Sequence, residues 1–182
     1  MIQDEMIDGE LVASSLALSD AVRLAETALT RALEFSAQKI GVDCHRAVVD
    51  RIRKGDKAAC GYCHYGLAKE IAERLGELAQ DVKVVYLCDY DATPQDSCFC
   101  EGTGAALLHL IVWAERRTAA LNSLVEVLDR ALVTKYADLI DQPHLAHLLD
   151  VQVVDDADVE KRVGYGAMLY SLHNRPIEVW KR

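Results

Sequence analysis

Between about Leu11 and Lys39, polar residues recur three or four positions apart: Asp20, Arg23, Thr27, Arg31, Glu34 and Gln38. Leu18, Val22, Ala25, Leu29 and Leu33 form the opposing apolar stripe. That 3.6-residue period predicts an amphipathic helix, with Gly41 placed to end it. "VDCHRAVVDRIRKG" predicts a second, shorter helix, opening at Val42 or Asp43 and closing before Gly55. A third helix is expected over 63–80. There Ala68, Ile71, Ala72, Leu75, Leu78 and Ala79 share one face, and Lys69, Glu70, Glu73, Arg74 and Glu77 share the other.

"VKVVYLCDYD" is too short for a helix, and its valines suit a buried strand near 82–88, followed by a loop around Pro94. From Gly104 to about Ile140 the pattern reads as one long helix, apolar on every side at first and then on a single stripe: Leu121, Leu124, Val125, Leu128 and Leu132. Such a helix spans roughly 55 Å, more than a small domain accommodates, so it predicts a break or a homo-oligomer contact through 104–140. His109, inside its apolar start, reads as a satisfied core residue. The last third predicts a strand near 151–154, then a hairpin with strands at 167–172 and 177–180 around "HNRP".

These elements make an α/β or α+β fold, a mainly helical single domain over 1–182 with a small mixed sheet of about four strands. Helices within 1–57 are expected to pack on an α/β core formed by 58–182.

Charge narrows the partners. A net charge of −9 and a pI near 5.1 disfavour nucleic-acid backbones and anionic membranes. "RIRKGDK" is the one small basic stretch. The longest apolar run, 105–114, is too short to span a bilayer, and the acidic start "MIQDEMIDGE" shows no secretory signal, so the expected location is cytoplasmic. In a reducing cytosol, six cysteines point to buried thiols, metal ligands or a redox pair.

The chain order predicts where those cysteines meet. Helix 63–80 covers roughly 26 Å, and strand 82–88 covers roughly 23 Å. A tight turn between them makes them antiparallel neighbours. Cys60, Cys63 and His64 then lie beside Cys88 and the loop bearing Cys98 and Cys100. A crossover from strand 82–88 through the long helix to strand 151–154 predicts parallel pairing. That pairing adds an acidic rim of Asp89, Asp91, Asp155 and Asp156, suited to Mg²⁺.

Four thiolates from C-x2-C (Cys60, Cys63) and C-x-C (Cys98, Cys100), with His64 and Cys88 in reserve, suit tetrahedral zinc, and an iron–sulfur cluster is the second choice. "CGYCH" also spells a haem-attachment string. "ACGYCHYGLAKEIAERLGELAQDVKVVYL" resembles the active-site helix and following strand of the thioredoxin family. The resemblance implies a dithiol redox protein with Cys60 as nucleophile and Cys63 as resolving thiol. The leading expectation is an intracellular α/β protein with a structural or regulatory zinc site. The dithiol protein, and a non-enzymatic helical oligomer or adaptor with incidental cysteines, are the alternatives.

Overall fold

In the computed structural model, which describes residues 17–88, 108–173 and 175–182, the N-terminal stripe folds as α1 (Leu18–Ile40). Gly41 stops it at φ 68°, a left-handed conformation that costs a residue without Cβ little. After α2 (His45–Arg53), Asp56 caps α3 (Lys57–Leu78), its carboxylate accepting from the amides of Ala58 (3.0 Å) and Ala59 (3.1 Å). This cap starts the helix upstream of the 63–80 expected from periodicity. The C-x2-C motif therefore lies within the first turns of α3 and does not form its mouth.

β1 (Val82–Leu87) follows as the valine run predicts. The next element differs from expectation. Leu108–Ala114 is a strand, β2, and not the opening of a helix reaching from Gly104. Leu108, Leu110, Val112 and Ala114 enter one core, while Ile111 enters another with Trp113 packed against it. A strand apolar on both faces carries the same composition as a buried helix, and the β-branched and aromatic Ile111, Val112 and Trp113 tip it to strand. The helix proper is α4 (Ala119–Ile140), capped by Thr118, whose hydroxyl accepts from the Leu121 amide at 3.1 Å. Its 22 residues span roughly 33 Å. Its stripe of Leu121, Leu124, Leu128 and Leu132 is buried within the chain, so helix length no longer calls for an oligomer contact.

β3 (Leu149–Val154), α5 (Asp156–Lys161), α6 (Tyr165–Met168) and β4 (Ile177–Lys181) complete the chain. The strand expected over 167–172 is absent; one helical turn and a bend take its place. Gly166 lies against α5 so closely that a Cβ there would meet the Asp158 carbonyl oxygen at 2.5 Å. That contact folds the segment back on α5 and away from a hairpin.

The four strands form one mixed sheet in the order β3-β2-β1-β4. β1 is antiparallel to both neighbours, and β2 pairs with β3 in parallel across the α4 crossover. The crossover thus joins β2 to β3, and β1 and β3 run in opposite directions. Asp155 and Asp156 stand at the start of β1, where Asp156 bonds Lys83 Nζ at 2.7 Å. The predicted shared rim fails on this reversal, and its other members, Asp89 and Asp91, lie outside the described residues.

One face of the sheet buries Val82, Val85, Leu87, Leu110, Val112 and Val179 with residues of α1, α3 and α4. On the other face Cys88, Ile111, Val154 and Val159 form a smaller core against Tyr86, Trp113, Met168 and Leu169. This second core exists because residues 155–173 lead from one edge strand towards the other, a width of roughly 14 Å. The segment leaves β3 at Val154, opposite Trp113, and β4 begins at Ile177, opposite Leu87. Among the described residues it straps the second face diagonally, and at the corner around Asp150 the side chains of His109 and Asp150 stay part-exposed.

Candidate functional site

That part-exposed corner carries the chemistry. Leu87 pairs with Leu110, and the Cys88 amide donates to the His109 carbonyl oxygen at 2.8 Å, so Cys88 stands directly opposite His109. His109 in turn pairs with Asp150 across the parallel ladder. Opposed residues on neighbouring strands present their side chains to one face, with Cβ atoms about 4.5–5.5 Å apart in an antiparallel pair. Thiol, imidazole and carboxylate thus form one row, each from a different strand.

Within that row the imidazole is oriented. His109 Nδ1 lies 2.9 Å from Asp150 Oδ2, and Gln152 Nε2 donates to Asp150 Oδ1 at 2.9 Å. A carboxylate only accepts, so Nδ1 donates to it, and in the neutral ring Nε2 is then an acceptor. The side chains of His109 and Asp150 are 42% and 35% exposed, whereas Cys88 is buried. A half-exposed pair contributes little to stability; its effect is to fix the ring. The next row holds Gln152, Ile111, Tyr86 and Glu178. Burial first, then Glu178 and Tyr170, raise the Tyr86 pKa against the opposing effect of Arg175. Tyr86 is accordingly a protonated phenol at neutral pH.

The sulfur set expected from sequence is divided. Cys60 and Cys63 are fully buried in the core shared with α1 and α4, while Cys88 belongs to the opposite side of the sheet. Burial pushes the Cys63 thiol up to about 12 and lowers the His64 imidazole to about 3. A redox nucleophile needs an activated thiol, and burial opposes that at Cys63. The Cys60 amide already bonds the Asp56 carbonyl oxygen at 3.0 Å. Among the described residues no group of three or more His, Cys, Asp or Glu is placed to hold a metal ion. Cys98 and Cys100 lie outside the described residues.

The two described aspartates of the acidic rim have structural partners. Asp155 caps α5 in a reciprocal capping box with Asp158. Asp156 bonds Lys83 Nζ and accepts from Trp113 Nε1 at 2.8 Å; those bonds, Lys83 first, lower its pKa. Arg117 closes on Asp158 from the end of β2.

Sequence reading takes His109 for a satisfied core residue, whereas its ring is part-exposed and bonded to Asp150, and it overlooks Asp150 and Gln152, although a signal exists. In "LDVQVV" Leu149, Val151 and Val153 alternate with Asp150 and Gln152, and "LHLIVWA" carries its one polar residue on the matching face. No known family model, curated protein or solved structure matches the chain. Among the described residues no helix is long and apolar enough to cross a membrane.

Proposed function

We propose that the protein is a thiol-dependent acyl hydrolase, with Cys88 as nucleophile, His109 as general base and acid, and Asp150 as the group that orients the ring. The reading is carried by one observation: thiol, imidazole and carboxylate occupy one row on three adjacent strands, with the imidazole already bonded to the carboxylate.

In this reading His109 Nε2 takes the Cys88 proton as sulfur attacks an ester carbonyl. The S–C bond forms, the C–O bond breaks, and the alcohol leaves with the proton from Nε2. Water then adds to the thioester and gives its proton to Nε2. The acid departs, and sulfur recovers the proton. No oxidant or metal takes part. Gln152 holds Asp150, and Asp150 holds the tautomer in which Nε2 accepts.

Iodoacetamide labelling of the full chain against pH, read by peptide mass mapping, tests the pairing. Cys88 should label with an apparent pKa below the free-thiol value of about 8.5, and His109→Gln should restore an ordinary profile. A wild-type profile indistinguishable from that of His109→Gln refutes it.

A thiolate zinc or iron–sulfur centre is the competing proposal, favoured by Cys60 and Cys63 standing one helical turn apart on α3. It needs Cys98 and Cys100 as further ligands. Elemental analysis and an absorbance spectrum of protein purified without added metal separate the two.

A further inference from the structure

The sheet has two edges, β3 and β4, and they are finished differently. An edge strand offers unpaired amides and carbonyls to any other strand, and proteins blunt it with proline, lysine, bulges or exposed charge. β4 carries these devices. Pro176 precedes it, Glu178 and Lys181 are exposed, and its ladder with β1 shifts register between Val85 and Tyr86. β3 has no proline, lysine or bulge; it keeps an unbroken register with β2, and three of its six residues are valines. Asp150, its single charge, is bonded to His109 and Gln152.

A parallel ladder uses alternate residues of a strand. The Leu108 amide donates to the Leu148 carbonyl oxygen at 2.7 Å, which turns the backbone groups of Asp150 and Gln152 towards β2. Those of Leu149, Val151 and Val153 turn outward. Asp129 Oδ1 takes the Leu149 amide at 2.8 Å. The amides and carbonyls of Val151 and Val153 pair with no strand among the described residues.

We infer that this edge is covered by β3 of a second copy of the chain, paired antiparallel about a two-fold axis at Val151, so that two four-stranded sheets become one of eight strands. β3 is self-complementary in that register. Opposed residues of an antiparallel pair share a face. With Val151 opposite itself, Val153 meets Leu149 and Gln152 meets Asp150, apolar beside apolar and carboxamide beside carboxylate. The outward groups of the two Val151 residues bond each other, and each Val153 amide donates to the Leu149 carbonyl oxygen of the other copy. Gln152 spends one amide hydrogen on its own Asp150 and has a second for the Asp150 opposite. Moving the axis by one residue loses the match, because it sets Asp150 against Asp150 or against the buried Val154. The inference stands apart from the thiol reading, and it adds a carboxamide from the second copy to the carboxylate that orients His109.

Light scattering of the full chain over a concentration series tests it. Expected is twice the 20.1 kDa mass of one chain, with a Kd at or below about 10 μM. Gln152→Glu sets like charges opposite each other twice in a symmetric pair and should raise that Kd at least about tenfold. Asp150→Asn/Gln152→Glu again sets carboxamide opposite carboxylate and should return the Kd to within about threefold of wild type. Both positions are part-exposed, so both variants keep the fold, which a urea midpoint checks. A dimer that ignores Gln152→Glu forms through another surface and overturns the inference. A monomer at every concentration also overturns it; if its Val151 and Val153 amides then exchange slowly with solvent, the covering strand is another segment of the same chain.

Discussion

His109 Nδ1 stands 2.9 Å from the carboxylate of Asp150, two residues that are 41 positions apart in the chain and opposite each other in the parallel β2–β3 ladder. The α4 crossover creates this neighbourhood, and Cys88, the residue after β1, stands across β2 from Asp150. If Asp150 fixes the tautomer, Asp150→Asn should lower kcat for ester cleavage by about 10²–10⁴-fold, the scale set by general acid–base catalysis. KM should change far less. Thermal stability should change by less than about 1 kcal/mol, since the pair is half exposed. An unaltered kcat would assign the pair to surface packing.

At Cys44, Cys60 and Cys63 thiol reactivity should follow burial and not sequence motif. Cys44 is exposed, whereas Cys60 and Cys63 are fully buried and Cys63 holds its proton to about pH 12. In native protein at pH 8, mass mapping should find Cys44 labelled within minutes and residues 60 and 63 unlabelled until denaturant is added. Early labelling at either position would show that α3 opens or that the motif is accessible.

His64 should make the fold acid-sensitive. Burial lowers its pKa to about 3, whereas in the unfolded chain it titrates near 6.5. Between those values the unfolded state binds the extra proton. Its contribution is complete above about pH 6.5 and falls by roughly 1.4 kcal/mol per unit as the pH drops towards 3. Denaturant midpoints for wild type and His64→Gln should therefore converge between pH 6.5 and pH 4. Parallel curves contradict the assignment.

At Gly76 packing should outweigh helix propensity. A Cβ there would fall 2.1 Å from Cζ2 of Trp180, where the strand β4 closes on α3 and Arg182 donates to the Gly76 carbonyl oxygen at 2.6 Å. Gly76→Ala gains about 1 kcal/mol of helix propensity, and forcing the ring aside costs about 1–3 kcal/mol. The expected outcome is a net loss near 1 kcal/mol by urea denaturation. A stabilised variant would mean that Trp180 yields freely.

How much of this was legible in the sequence depends on what each element asks of it. α1 announces itself through a long stripe and Gly41, and β3 through alternation. β2 does not, because Leu108 to Ala114 is largely apolar on both faces and only Glu115, Arg116, Arg117 and Thr118 separate it from α4. Taking it for helix assigned the crossover to the wrong strand, reversed β3 against β1, and moved Asp155 and Asp156 to the wrong end of the sheet. The same misreading hid the site. In a helix His109 is one polar residue among apolar neighbours; in a strand it is aligned with Asp150 and Cys88. The C-x2-C motif drew attention by spacing, while the Asp56 cap upstream, which decides that Cys60 and Cys63 lie within α3, carries no such signature.

The most direct test of the account is to identify the atom that receives an acyl group. Wild-type protein mixed with p-nitrophenyl acetate, quenched in acid within the first turnover and mapped by mass spectrometry, should carry one acetyl group on Cys88. The adduct should vanish in Cys88→Ala and persist longer in His109→Gln, where deacylation is slowed. Acetylation spread over surface lysines, or located on Cys44 alone, would contradict the account.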